Sequence, residues 1–225
     1  WATHAPMAKD NLLAYVKESG LGEARAFASV KEMAPEVDVL AIFCPNFVRV
    51  EIVEEIVDAV KAGAELKGLI CEKPLARNLA EGRKIVDLVK GIGVPTAYFE
   101  NQIHMKPVKA SRAQLGPVME AMGAPLLVRS GEEHAGPHTA WFWDPTRQGG
   151  GVLSDMGCHC LGVGWYALTP PGKPPRFLEP QSVMADVSLL KWGQPRWRKE
   201  LLDRHGVDYG QTPAEPSEIT LEDFG

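Results

Sequence analysis

The apolar run Leu69-Ile70-Cys71 breaks off in Glu72-Lys73-Pro74, an acid, a base and a proline at the end of what reads as a strand. A lysine there can hold a developing negative charge, and Pro74 biases Lys73 toward extended geometry that carries its side chain off the strand. Two other apolar runs end in polar or turn residues, at Cys44-Pro45-Asn46 and at Glu100-Asn101-Gln102. A second group follows Gly149-Gly150-Gly151, where Asp155 and His159 stand four residues apart. On one helix they share a face; an aspartate can orient a histidine or bind a substrate hydroxyl, and a histidine exchanges protons near neutral pH. Each group also has a plainer reading, as a solvated loop cation and as a helix-surface contact.

Metal is a rival use of the same residue types. His134 and His138 are four apart, and Cys158 and Cys160 flank His159. Gly136-Pro137 interrupts any helix carrying the two histidines, however, and C-x-C lacks the spacer of structural zinc sites. No metal site is expected, and the two cysteines read as small core residues. Trp141, Phe142 and Trp143, with His138 nearby, suit either core packing or a carbohydrate pocket.

The elements that position these residues are legible between 37 and 99. Val37–Phe43 is a short strand, and Val53, Ile56, Val57 and Val60 recur at helical spacing until Gly63. Residues 66–71 form a second strand. Asn78 and Glu81 resemble a capping box opening a helix that Gly91 would cap, and residues 94–99 form a third strand. This β-α-β-α-β order predicts parallel strands buried on both faces, half of a doubly wound α/β sheet, with ligands at the carboxyl ends of the strands. Upstream, a helix ends at Gly20 and a strand lies in 24–29. Beyond residue 100, strands are expected at 124–133 and 181–192 with one helix over 152–168, an α+β domain with a largely antiparallel open sheet. The domains are therefore 1–100 and 101–225.

Bulk properties exclude several classes. The 225 residues carry a net charge of −5, which gives no footprint for nucleic acid or an anionic membrane surface. The basic-aromatic stretch 191–205 is interleaved with acids and reads as solvated. No apolar run is long enough to span a bilayer. Four scattered cysteines make no disulfide framework, so reduced thiols in a cytoplasmic setting are expected, with a secreted or periplasmic setting as the alternative.

Taken together, Cys44-Pro45-Asn46 (like a T-P-N turn), Glu72-Lys73-Pro74 (E-K-P) and Gly149 through His159 (G-G-G-x-x-x-D-x-G-x-H) resemble the glucose–fructose oxidoreductase / inositol dehydrogenase (Gfo/Idh/MocA) family. The resemblance covers roughly residues 24 to 192. It implies a Rossmann-type domain and hydride transfer between NAD or NADP and a secondary alcohol of a sugar, cyclitol or polyol. It makes Lys73 the catalytic lysine and Asp155 and His159 the substrate-binding and proton-transfer pair. Cys44, Pro45, Asn46, Glu72, Lys73, Pro74 and Asn101 would line the cofactor, with Trp141, Trp143 and His138 on the substrate. A homo-oligomer formed through the second-domain sheet is expected as well. The chain departs from the family in three ways. No G-x-G-x-x-G follows a first strand, because Gly20-Leu21-Gly22 follows a helix. No first β-α-β unit is legible ahead of residue 24, and the second domain stops short of further strands, which predicts an internal portion of a longer enzyme. Arg49 stands where members often carry histidine. The alternatives are a redox-assisted glycoside-cleaving enzyme of the same family, a non-catalytic fragment or binding domain, and, last, a metal-dependent hydrolase.

Overall fold

The computed structural model describes residues 2–3, 9–133, 140–191, 194, 196–197 and 203. The chain divides into two compact units, Trp1–Phe99 and Glu100–Gly225.

In the first unit the apolar runs too short for helices become strands, and the runs with a 3.6-residue period become helices. The order is β1 (Ala2–Thr3), α1 (Lys9–Glu18), β2 (Arg25–Ala26), α2 (Val30–Met33), β3 (Val39–Ile42), α3 (Arg49–Lys61), β4 (Gly68–Glu72), α4 (Leu79–Ile92) and β5 (Thr96–Phe99). Strands β3, β4 and β5 form a parallel sheet in that order, with Ile42 opposite Cys71 and Glu72 opposite Phe99. A helix in each connection forces the parallel pairing. Leu40 and Ile42 of β3 and Leu69 and Cys71 of β4 point to one face, where they meet Val53, Ile56 and Val57 of α3 and Ile85 and Val89 of α4. Each such aliphatic side chain, fully buried, contributes about 1.5–3 kcal/mol.

The other face is open, contrary to the expectation of strands buried on both sides. Val39 is 48 % exposed, Ala41 and all of β5 are exposed, and Phe43 meets Phe99 edge-to-face there at 5.9 Å between ring centroids. Right-handed crossovers between strands in consecutive order place both helices on the same face. Covering the second face takes a reversal of winding, which no element among the described residues of this unit supplies.

Helix α4 starts as the capping-box pattern predicts. Asn78 Oδ1 accepts the Glu81 N–H at 3.0 Å, but the Glu81 carboxylate reaches back to the N–H of Arg77, one residue ahead of the cap, at 3.2 Å. The far end differs: the helix runs through Gly91 to Ile92 and closes at Gly93, whose φ of +66° is the left-handed conformation that a helix C-cap needs. Ahead of residue 24, β1 and β2 pair in parallel across α1, so a short β-α-β unit is present where the sequence reading finds none. Its strands of two residues are too brief to leave a period.

The second unit is helical among its described residues. A single 3-10 turn, Asn101–His104, leads into α5 (Lys106–Met122), followed by α6 (Pro145–Gln148), α7 (Val152–Asp155) and α8 (Gly157–Leu168). Helix α5 has no counterpart in the sequence reading because Pro107, Gly116 and Pro117 interrupt its pattern; Pro107 lies in the first turn, where a missing N–H costs nothing. The single helix expected over 152–168 is two, parted at Met156. Arg112 of α5 ends α8 by donating to the carbonyls of Ala167, at 3.2 Å, and Thr169, the groups a helix C-terminus leaves unpaired.

The strands expected at 124–133 and 181–192 do not form among the described residues, where the only bridge in either segment is at Ser188. Leu126 and Met184 are fully solvated. An apolar alternation marks a face that wants cover; it becomes a strand only when a neighbour takes its backbone hydrogen bonds. Among the described residues no helix is long and apolar enough to cross a membrane.

Candidate functional site

Parallel pairing brings the ends of β3 and β4 to one edge of the sheet in the first unit. Cys44-Pro45-Asn46 leave β3 there, and Lys73-Pro74 leave β4 through a cis peptide bond. Both exits expose carbonyls past the last ladder hydrogen bond, and such groups need donors. Arg49, the first residue of α3, supplies them from a position only 1 % exposed. Its Nη2 donates to the Cys44 carbonyl at 2.8 Å; its Nη1 donates to the Glu72 carbonyl at 2.7 Å and to the Pro74 carbonyl. A planar guanidinium with five donors is always charged and can span three acceptors, which no other side chain matches. The turn carrying Lys73 is thus pinned to the turn carrying Asn46. Lys73 is half-buried and Asn46 is buried.

Arg49 was one of the three departures in the sequence pattern, and the structure assigns it to the scaffold. One signal for this lies in the sequence: a cation in the first turn of a helix opposes the helix dipole, so it needs a compensating partner. Burial pushes Cys44 up, against the pull of Arg49, and burial pushes Cys71 up to about 11, so both stay protonated at neutral pH.

In the second unit, the carboxylate facing His159 is that of Glu100. The two side chains are 6 % and 8 % exposed, and His159 Nδ1 lies 2.7 Å from Glu100 Oε1. The same oxygen accepts the backbone N–H of Gln102 at 2.9 Å, while the Gln102 amide donates to Glu132 at 2.5 Å. Glu100 Oε2 has no hydrogen-bond partner among the described residues. Asp155 and His159 were expected on one helix face; the break at Met156 puts them on separate helices. Asn101 is exposed, so the inward-facing residue at this strand end is the one before it. Glu100 is therefore the residue that sequence reasoning missed.

Trp141 and Phe142 stack with centroids 4.0 Å apart and are half-buried. His138 and the Trp143 side chain lie outside the described residues. Cys158 Sγ bonds the Asp155 carbonyl at 3.2 Å, and burial, helped by Glu132 and Glu100, pushes the Cys160 thiol up. Glu100, Cys158 and His159 bring donor atoms within 4.8 Å of one another. Two ligands on one tetrahedral zinc sit about 3.3 Å apart given bonds near 2.0–2.1 Å. The 2.7 Å separation of imidazole and carboxylate is instead that of a charge-assisted hydrogen bond.

With this geometry in place, residues 9–99 match the family model described as "Oxidoreductase family, NAD-binding Rossmann fold". This segment is thus similar to the Gfo/Idh/MocA oxidoreductases. The chain is 30 % identical over 149 residues to the 1,5-anhydro-D-fructose reductase of Ensifer adhaerens, covering 65 % of this chain and 42 % of that protein. It is 26 % identical over 139 residues to the levoglucosan dehydrogenase of Pseudarthrobacter phenanthrenivorans, covering 60 % and 34 %. The fold also matches the crystal structure of GenD2 from gentamicin A biosynthesis in complex with NAD, with a TM-score of 0.57 at 23 % identity over 70 % of this chain and 43 % of that one. The chain spans less than half the length of the curated relatives it matches.

The residues of this segment fit one half of a dinucleotide. The edge at Cys44–Asn46 and Glu72–Pro74 offers polar groups where a parallel sheet binds ligands. A pyrophosphate needs a glycine loop that lets backbone N–H groups approach. The connection from β1 to α1 reads His4-Ala5-Pro6-Met7-Ala8, without glycine, and a Cβ added at Gly20 or Gly22 would meet no described atom within 4 Å. The phosphate half thus has no cradle among the described residues.

Proposed function

We propose that the protein acts as a nicotinamide-dependent oxidoreductase on a secondary alcohol of a sugar, cyclitol or polyol, with NAD or NADP. The observation that carries this reading is the Arg49 clamp, which holds Lys73 and Asn46 at the ligand-binding edge of a Gfo/Idh/MocA sheet. In this reading Cys44, Pro45, Asn46, Glu72, Pro74 and Asn101 hold the cofactor, whose ring accepts or returns the hydride. The Lys73 ammonium stabilises the alkoxide developing on the substrate. His159 exchanges the hydroxyl proton, and Asp155 binds a neighbouring hydroxyl. Trp141 offers an aromatic face to a sugar ring, joined by Trp143 and His138. The sugar-directed names of the relatives support the substrate class. The four cysteines, none in a disulfide, support a reduced cytoplasmic setting.

The test uses protein expressed from the complete reading frame. NADH fluorescence reports binding, and absorbance at 340 nm with a panel of aldoses, anhydrosugars and inositols reports turnover. Lys73→Ala and His159→Ala should each abolish turnover; retained activity in both would sink the site. The absence of a glycine-rich turn among the described residues favours a second reading, a non-catalytic binding domain. Absence of NADH and NADPH binding at millimolar concentration selects it.

A further inference from the structure

We propose that Glu100 is a positioning residue for His159, fixing the tautomer and ring orientation in which its Nε2 carries the free lone pair. The argument starts from one oxygen. Glu100 Oε1 receives the Gln102 backbone N–H, a group that can only donate, at 2.9 Å, so the atom at this point is an acceptor. His159 Nδ1 approaches the same oxygen at 2.7 Å, which assigns the ring proton to Nδ1 and leaves Nε2 as the acceptor. The pair is buried, so water does not compete for the bond.

The surroundings are shaped to hold this arrangement. Glycine at 162, on α8 one turn beyond His159, leaves room for the Glu100 chain: a Cβ there would stand 2.8 Å from Glu100 Cγ. The Arg112 clamp at the other end of α8 keeps the helix from sliding. Glu100 precedes the 3-10 turn, and its carboxylate also caps that turn, so the backbone and the histidine share one anchor. The inference deepens the reading of His159 as the proton-exchanging group; its first readout does not depend on that reading.

The experiment labels the complete protein with ¹⁵N-histidine and reads the ring nitrogens of His159, identified by their loss in His159→Gln. Wild type should show Nδ1 protonated and Nε2 bare. Glu100→Ala should release the ring into a mixture of tautomers. Glu100→Gln should keep the Nδ1–H form, because the Gln102 N–H holds the amide oxygen at that point. Gly162→Ala should mimic Glu100→Ala from the other side of the contact, and circular dichroism checks that each variant folds. In turnover, Glu100→Ala should lower kcat about 100-fold with KM nearly unchanged, and Glu100→Gln should recover most of the loss. A wild-type ring protonated at Nε2, a tautomer indifferent to Glu100→Ala, or stoichiometric zinc in the purified protein would overturn the assignment. A normal nitrogen pattern without dehydrogenase activity leaves the assignment standing and removes the proposed function instead.

Discussion

Replacing Arg49 by methionine probes the join between strand ends and chemistry most directly. Methionine fills a similar volume without charge or donors, so the cavity term is small and the hydrogen bonds dominate. Three carbonyls, those of Cys44, Glu72 and Pro74, lose their Arg49 donor at once, and that of Glu72 keeps the weak Cys71 Sγ contact at 3.7 Å. A buried acceptor left unpaired costs about 1–3 kcal/mol, and the hydrogen bonds lost involve a charged group. Against this stands the gain from no longer burying a guanidinium that is 1 % exposed and whose Nε has no partner among the described residues. Swapping a whole buried ion pair for apolar residues can be neutral, but here the partners are backbone and remain behind. The net expectation is a loss of about 3–5 kcal/mol, a large fraction of a typical domain stability of about 5–15 kcal/mol. Urea unfolding followed by circular dichroism measures it: with a slope of about 2 kcal/mol/M, the midpoint should fall by about 2 M. Arg49→Lys, with one compact ammonium, should satisfy part of the set and lose about half as much. Where Arg49→Met still folds, turnover should drop about 100-fold through displacement of Lys73. A midpoint within about 0.3 M of wild type for Arg49→Met would refute the clamp as a determinant of this edge.

Two further perturbations test the local accounts. Alanine at Gly93, where φ is +66°, should cost about 1–2 kcal/mol in the same urea assay, whereas alanine at Gly91, inside the helix with open space around it, should gain about 0.5–1 kcal/mol. A cap at Gly91 would reverse the order. Glu81 is held below its ordinary value of 4.5, chiefly by its hydrogen bond to Arg77, with burial acting the other way. A depressed carboxyl stabilises the fold above its unfolded value and loses that contribution as pH falls through its folded value. Glu81→Gln should therefore cost about 0.5–1 kcal/mol at pH 7, after allowance for solvent screening, and the gap to wild type should close below about pH 4. A gap that persists at pH 3 would assign the effect to something other than this carboxylate.

What the sequence determined by itself is what short-range chemistry encodes. The alternation and 3.6-residue spacing of Leu40, Ile42, Val53, Ile56, Ile85 and Val89 set the order of strands and helices, and Asn78 with Glu81 set a helix start, because period and capping act within a few residues. The motif order around Lys73 and His159 also carries the resemblance to the Gfo/Idh/MocA family. Tertiary structure alone decided the rest. Arg49 works through three backbone carbonyls, which carry no side-chain signature, and Glu100 meets His159 across 59 residues of chain. The apolar segment at 124–133 and the alternating one at 181–192 revealed a surface in need of cover but not whether a neighbouring strand supplies it. Helix α5 hid behind its prolines until the pairing of Arg112 with α8 gave it a place. Periodicity reports which side of a segment is apolar; which distant group meets a buried polar atom is settled only when the chain folds around it.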